Sequence, residues 1–241
     1  MLRAILFDLD DTLFDHRQCA RKALTAVYAS HACFAETTFD AFERAHAEHL
    51  ETLHVQVVKG EIQIDDARIE RFRRLLAAAG GDQQAAARAA AEYRAAYVKA
   101  RSPVPGARAV LERLHAHARI GVVSNNLLAE QREKMQQCGL TPYVDTLVVS
   151  EEAGISKPDP AIFAIALARL QAGAGEAVMI GDSWAADVQG ARAAGIHAIW
   201  FNPEGLPSPD PSLGVPELRV MEPADVAADA ILESHRRAHR N

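Results

Sequence analysis

Short, nearly continuous apolar runs punctuate the chain, each four to six residues long and each ending in a polar or small residue. They are Arg3 to Asp8, RIGVVS from Arg119 to Ser124, DTLVVS from Asp145 to Ser150, AVMIGD from Ala177 to Asp182 and HAIWF from His197 to Phe201. Runs rich in Val, Ile and Leu without polar alternation predict parallel strands covered on both faces. Helical patterns fill most of the intervals. Pro105-Gly106-Ala107 opens one, with Val110, Leu111 and Leu114 at helical spacing, and Leu127 to Cys138 gives another, closed by Gly139. Asp159-Pro160 starts a third, with Ile162, Phe163, Ala166, Leu167 and Leu170 as its apolar stripe. Pro160 suits a first helical turn and Asp159 an N-cap. Strands alternating with helices of this length predict a doubly wound α/β sheet that binds ligands at the carboxyl ends of its strands.

Residues 15–102 break the rhythm. They contain no strand pattern and much alanine, with helical stripes such as Ala20, Leu24, Val27 and Ile69, Phe72, Leu75, Leu76. The expected organisation is an α/β core of residues 1–14 and 103–241 with an all-helical insertion of residues 15–102. Beyond Asn202 the chain is rich in Pro and Gly, then predicts a last strand at Leu218 to Val220 and a helix at Ala224 to Leu232.

Composition narrows the function. The 241 residues are 49% apolar and 24% charged, with a net charge of −6, the balance of an ordinary globular protein. No basic excess draws nucleic acid or anionic lipid, so an anionic substrate needs a local device: a metal, a lysine or a helix N-terminus. Cys19, Cys33 and Cys138 form neither a metal-ligand spacing nor a disulfide framework, which suits a reducing, cytoplasmic setting. No run of 18 apolar residues predicts a membrane span, and Asp8 interrupts the first run before a signal peptide's apolar region.

Candidate chemistry gathers where the predicted strands end. ILFDLDDTLF, beginning at Ile5, runs an apolar strand into Asp8, Asp10 and Asp11. Residues i and i+2 of a strand point the same way, so Asp8 and Asp10 share a side. Parallel strands bring Ser124, the loop holding Lys157, and Asp182 with Asp187 to the same edge. Clustered carboxylates raise one another's pKa unless a cation relieves them, and a hard cation with oxygen ligands does so most cheaply.

DLDDT, VVSNN, SKPDP and GDSWAAD, in this order and at strand ends, resemble the four signature motifs of the haloacid dehalogenase-like hydrolase superfamily. The helical insertion resembles the C1-type cap of that family's phosphatases. The resemblance implies Asp8 as the nucleophile and Asp10 as general acid and then base. It implies Asp8, the backbone carbonyl of Asp10 and Asp182 as Mg2+ ligands, with Asp187 a second acidic position that binds or orients through water. Ser124 and Lys157 would hold phosphoryl oxygens. Asn125 and Asn126 either line the site through backbone N–H groups or play a plain loop role. The implied activity is hydrolysis of a small phosphate monoester (a nucleotide, a sugar phosphate or a ribityl phosphate) by a monomer or homodimer. Two alternatives stay open: a 2-haloacid dehalogenase, which Asp10 disfavours because a halide needs no proton, and a catalytically silent binding protein. A response-regulator receiver fails on motif order and on the insertion.

Plainer roles compete residue by residue. Asp11 reads as a turn residue, Ser124 as a helix cap and Asp187 as an acid at a helix start. Lys157 precedes Pro158, which restricts it to extended backbone and helps to aim it. His46 and His49, like His235 and His239, have metal-compatible spacing but no third ligand, and read as exposed helix residues. His16, near the junction with the insertion, is a candidate substrate contact. The basic end HRRAHRN reads as a frayed, solvated tail.

Overall fold

The computed structural model describes residues 1–238. The chain forms two compact units, one of Met1–Asp15 with the chain from Ser102 onward and one of His16–Arg101.

The first unit opens with β1 (Ala4–Phe7); the second supplies α1 (His16–Ser30), α2 (Phe39–Val58), α3 (Ile64–Ala78) and α4 (Ala86–Ala100). The first then continues with α5 (Ala107–His115), β2 (Arg119–Ser124), α6 (Leu128–Gln137), β3 (Thr146–Val149), the single turn α7 (Ser150–Ala153) and α8 (Pro160–Leu170). It ends with β4 (Ala177–Gly181), the short α9 (Gly190–Ala193), β5 (His197–Phe201), β6 (Glu217–Leu218) and α10 (Ala224–Ala238).

The strands form one sheet in the order β3-β2-β1-β4-β5-β6, every pairing parallel. All four residues of β1 and all five of β4 are buried, as continuous apolar runs demand. Leu6, Met179 and Val123 pack with Ile162, Phe163 and Leu170 of α8 in one core. Asp159 caps α8, its side chain accepting from Ala161 N at 2.9 Å. The order of connection reverses between β1 and β4, and a crevice for ligands opens at such a seam in doubly wound sheets.

Several ends differ from the sequence pattern. Asp8 and Asp182 lie past the strands with their carboxylates turned to side-chain partners, and Ser150 lies past β3 because it begins α7. The last strand is Glu217–Leu218; Val220, expected within it, is exposed. The last helix continues beyond Leu232 because its buried stripe of Ala228, Ile231 and Leu232 extends to His235. His235 is therefore buried, correcting its reading as an exposed residue, and His239 lies outside the described residues. Among the described residues no helix is long and apolar enough to cross a membrane.

In the helical unit α1 packs on α4, and α3 on both α2 and α4. Its core combines Leu24, Val27, Phe34, Phe42, Phe72 and Leu76. His46 is a second correction: it is only 3% exposed and stacks near Phe72 and Tyr93, occupying a core position on its helix, while His49 stays partly exposed. His16 turns its Nδ1 to Tyr97 Oη at 2.7 Å within the same unit.

Candidate active site

The loop after β1 is a tight knot of backbone hydrogen bonds. Leu9 O accepts from Leu13 N and Phe14 N at 2.9 and 2.8 Å, and Asp11 N donates to Phe14 O at 2.7 Å. Asp11 adopts φ 64°, a left-handed conformation that aspartate tolerates better than most residues, so it is the turn residue its position suggested. Asp8 N still donates to Ile180 O at 2.9 Å. The ladder thus holds the Asp8 backbone while its side chain leaves the sheet.

Lys157 ties the carboxylates together. Its Nζ donates to Asp8 Oδ1 at 2.5 Å and to Asp187 Oδ1 at 2.6 Å, with all three side chains buried. Asn125 secures the lysine's backbone: Lys157 N donates to Asn125 Oδ1 at 2.8 Å, and Asn125 Nδ2 donates to Lys157 O at 2.9 Å. The Asn125 side chain is therefore engaged in positioning Lys157. Asp187 Oδ2 accepts from Ser183 N at 3.0 Å, so both its oxygens already have protein partners. Gly181 makes room for it, since a Cβ there would lie 2.3 Å from Asp187 Oδ2.

Asp182 is fixed differently. Thr12, fully buried, accepts from Asp182 N at 3.1 Å through Oγ1, and Trp200 Nε1 donates to Asp182 O at 2.8 Å. Asp8, Asp182 and Asp187 each offer an oxygen, and the three oxygens lie within 4.8 Å of one another.

One ammonium pairs with Asp8 and Asp187, and Asp182 adds a third carboxylate to the cluster. Burial pushes the Asp8 carboxyl well above its ordinary range; Lys157 pulls it down, and Asp187 and Asp182 push it further up. Burial also works to discharge Lys157, but attraction to Asp187 and Asp8, with the hydrogen bonds they accept, holds its pKa above that of ordinary lysine. An all-oxygen donor set with surplus negative charge fits a hard divalent cation such as Mg2+.

The Asp10 side chain turns toward α6. Lys134 Nζ donates to Asp10 Oδ1 at 2.6 Å and lies 5.0 Å from the centre of the Phe14 ring. Gln131 Nε2 donates to Asp10 Oδ2 at 2.8 Å and to Ser124 Oγ at 2.7 Å, and Asn126 Nδ2 reaches Asp10 Oδ2 at 3.2 Å. Ser124 thus sits buried at the end of β2, linked to Asp10 through one amide. Gln131, Lys134 and Thr12 escaped the sequence reading. A signal existed in α6, LAEQREKMQQ, which lacks an apolar stripe and buries Gln131 and Lys134, three residues apart, beside Met135.

Carboxylates gathered with a lysine at the seam of a parallel sheet define an α/β enzyme built for an anionic substrate. The chain belongs to the haloacid dehalogenase-like hydrolases, whose family model matches residues 2–195. It is 34% identical over 210 residues to the ribulose-1,5-bisphosphate 5-phosphatase of Halopiger xanaduensis, covering 84% of this chain and 86% of that one. Over 206 residues it is 30% identical to the glyceraldehyde 3-phosphate phosphatase of Pyrococcus abyssi, covering 83% and 82%. The magnesium-bound crystal structure of YfnB from Bacillus subtilis matches with a TM-score of 0.73 at 26% identity, covering 95% of this chain and 99% of that one. These relatives place the chain among the hydrolases of the family that act on phosphate monoesters.

Proposed function

We propose that the protein is a Mg2+-dependent phosphatase that hydrolyses a small phosphate monoester through an aspartyl-phosphate on Asp8, with residues His16–Arg101 serving as a C1-type cap. The observation that carries this reading is the Asp8 carboxylate held against Lys157 Nζ at 2.5 Å beside Asp182 and Asp187. Asp8, the Asp10 carbonyl and Asp182 would hold Mg2+, with Asp187 near them, and the ion, when bound, would supply charge neutralisation at the phosphoryl group.

The protein's own groups supply the rest. Asp8 attacks phosphorus, forming an acyl-phosphate bond as the ester P–O bond breaks. Asp10 gives its proton to the departing alkoxide, then takes one from the water that attacks phosphorus and releases Asp8 and inorganic phosphate. Lys157 and Ser124 hold the phosphoryl oxygens, and backbone N–H groups at Asn125 and Asn126 line their approach. A halide would not need the proton of Asp10, which favours an ester over a 2-haloacid. Two relatives matched over most of the chain are named for ribulose 1,5-bisphosphate and glyceraldehyde 3-phosphate, which supports a sugar phosphate. A pyrimidine 5'-nucleotidase matches over 44% of the chain and keeps a nucleotide in the panel. Three free cysteines support a reducing, cytoplasmic setting.

The test is phosphate release from a panel of sugar phosphates, nucleotides and small acid phosphates, with Mg2+ and with EDTA, using Asp8→Asn as the blank. Metal-dependent release that the blank lacks supports the phosphatase. No release from any ester by folded, Mg2+-loaded protein would overturn it.

A further inference from the structure

One buried amide joins two groups of the site without entering the reaction above. Gln131 of α6 is 0% exposed, so no substrate can touch it. Its Nε2 carries two hydrogens and divides them between Asp10 Oδ2 at 2.8 Å and Ser124 Oγ at 2.7 Å. Its Oε1 is buried as well and has no hydrogen-bond partner among the described residues. An unpaired buried acceptor is costly, and an apolar side chain of similar length, such as methionine, would avoid it. Stability alone gives no reason for an amide at this position.

What Nε2 holds gives one. A serine hydroxyl has one hydrogen and two lone pairs. With a lone pair of Ser124 engaged by Gln131, its own hydrogen is left to donate, as a phosphoryl oxygen that only accepts requires. The same NH2 group fixes Oδ2 of Asp10, which Asn126 Nδ2 also reaches at 3.2 Å. The amide is planar, so its two hydrogens hold the hydroxyl and the carboxylate in a set mutual position. Lys134 differs, since its ammonium bonds Asp10 and not Ser124. We propose that Gln131 is a positioning residue that aligns Ser124 and Asp10 together, the hydroxyl for the phosphoryl group and the acid for the departing oxygen. The proposal rests on the phosphatase reading, which gives Ser124 and Asp10 those tasks.

The experiment uses the full chain with Mg2+ and the variants Gln131→Met and Gln131→Leu, so that one remains if the other does not fold. Each is made alone and combined with Ser124→Ala. Three quantities are read: kcat/KM on an alkyl and a nitrophenyl phosphate, the Kd of inorganic phosphate by calorimetry, and Tm. The nitrophenyl ester needs no proton in the first step, so the ratio of the two kcat/KM values reads Asp10, while the phosphate Kd reads Ser124. Gln131→Met is expected to lower kcat/KM about 30–100-fold on the alkyl ester and about 3–10-fold on the nitrophenyl ester, and to raise the phosphate Kd about 3–10-fold. Its Tm should move by less than about 3 °C, because losing the unpaired Oε1 offsets losing two bonds. With Ser124→Ala already present, the same replacement should raise Kd by less than about twofold. An unchanged ester ratio, an unchanged phosphate Kd, or a Kd that rises by the same factor with and without Ser124 would overturn the proposal. A wild type that binds phosphate but turns over neither ester defeats the phosphatase reading, and the Kd values then decide the link to Ser124. A wild type that does neither overturns both.

Discussion

Replacing Lys134 by Met removes the ammonium that grips Asp10 while keeping an unbranched side chain over the Phe14 ring. The lysine side chain is 3% exposed and that of Asp10 is 24% exposed. Breaking a fully buried ion pair costs about 3–5 kcal/mol. Here Asp10 keeps Gln131 and Asn126 as donors and retains some water, so the expected loss of stability is about 1–2 kcal/mol. Chemistry should suffer more selectively. General acid–base catalysis contributes about 10²–10⁴ in rate, and a loosened Asp10 forfeits part of it, an expected loss of about 10–100-fold on alkyl phosphates. An aryl phosphate with a good leaving group needs no proton in the first step. Its nitrophenolate burst should slow by less than about threefold, while its steady state falls with the second step. Rapid-quench kinetics on an alkyl and a nitrophenyl ester, alongside urea unfolding, separate these effects. Equal losses for both esters in the first step, or no loss with the alkyl ester, would refute the role of Lys134 in positioning Asp10.

Three further outcomes follow from the same geometry. Gly181→Ala drives a methyl toward Asp187, and urea unfolding should show a loss of about 1–3 kcal/mol together with weakened phosphatase activity; an unchanged protein would mean that Asp187 is not held as described. Asn125→Ala removes two hydrogen bonds from the Lys157 backbone, at an expected cost of about 2 kcal/mol in urea unfolding, with a higher KM for any phosphate ester. The raised pKa of Asp8 means that the metal-free native state binds this proton more tightly than the unfolded chain does, so its contribution to stability falls as pH rises from about 4 through the raised value. Asp8→Asn should therefore gain stability relative to wild type across that window, and Mg2+ should narrow the difference; a flat difference against pH in metal-free protein would contradict the crowding of Asp8.

The sheet was legible because its signal is collective. HAIWF and RIGVVS match β5 and β2 at both ends, since buried strands need apolar residues on both faces. Asp8, Lys157, Asp182 and Asp187 were legible because strand ends converge and the motifs name them. The partners of Asp10 were not, because Gln131 and Lys134 look like ordinary polar helix residues until the fold turns them inward. His46 and His235 failed for the same reason in reverse: a lone imidazole on a helix reads as solvated, and only packing shows the core around it.

The sheet also sets an order of events as the chain is made. Ala4 in β1 pairs with Arg119 on one side and Ala177 on the other. Loop closure over such separations is slow, whereas the contacts of α1 to α4 close within His16–Arg101. During synthesis the helical unit therefore finds its partners while β1 still waits for both of its own. Asp8 is made before Ser124, Lys157, Asp182 and Asp187, so the neighbours that give it chemistry arrive only once the chain has passed Asp187.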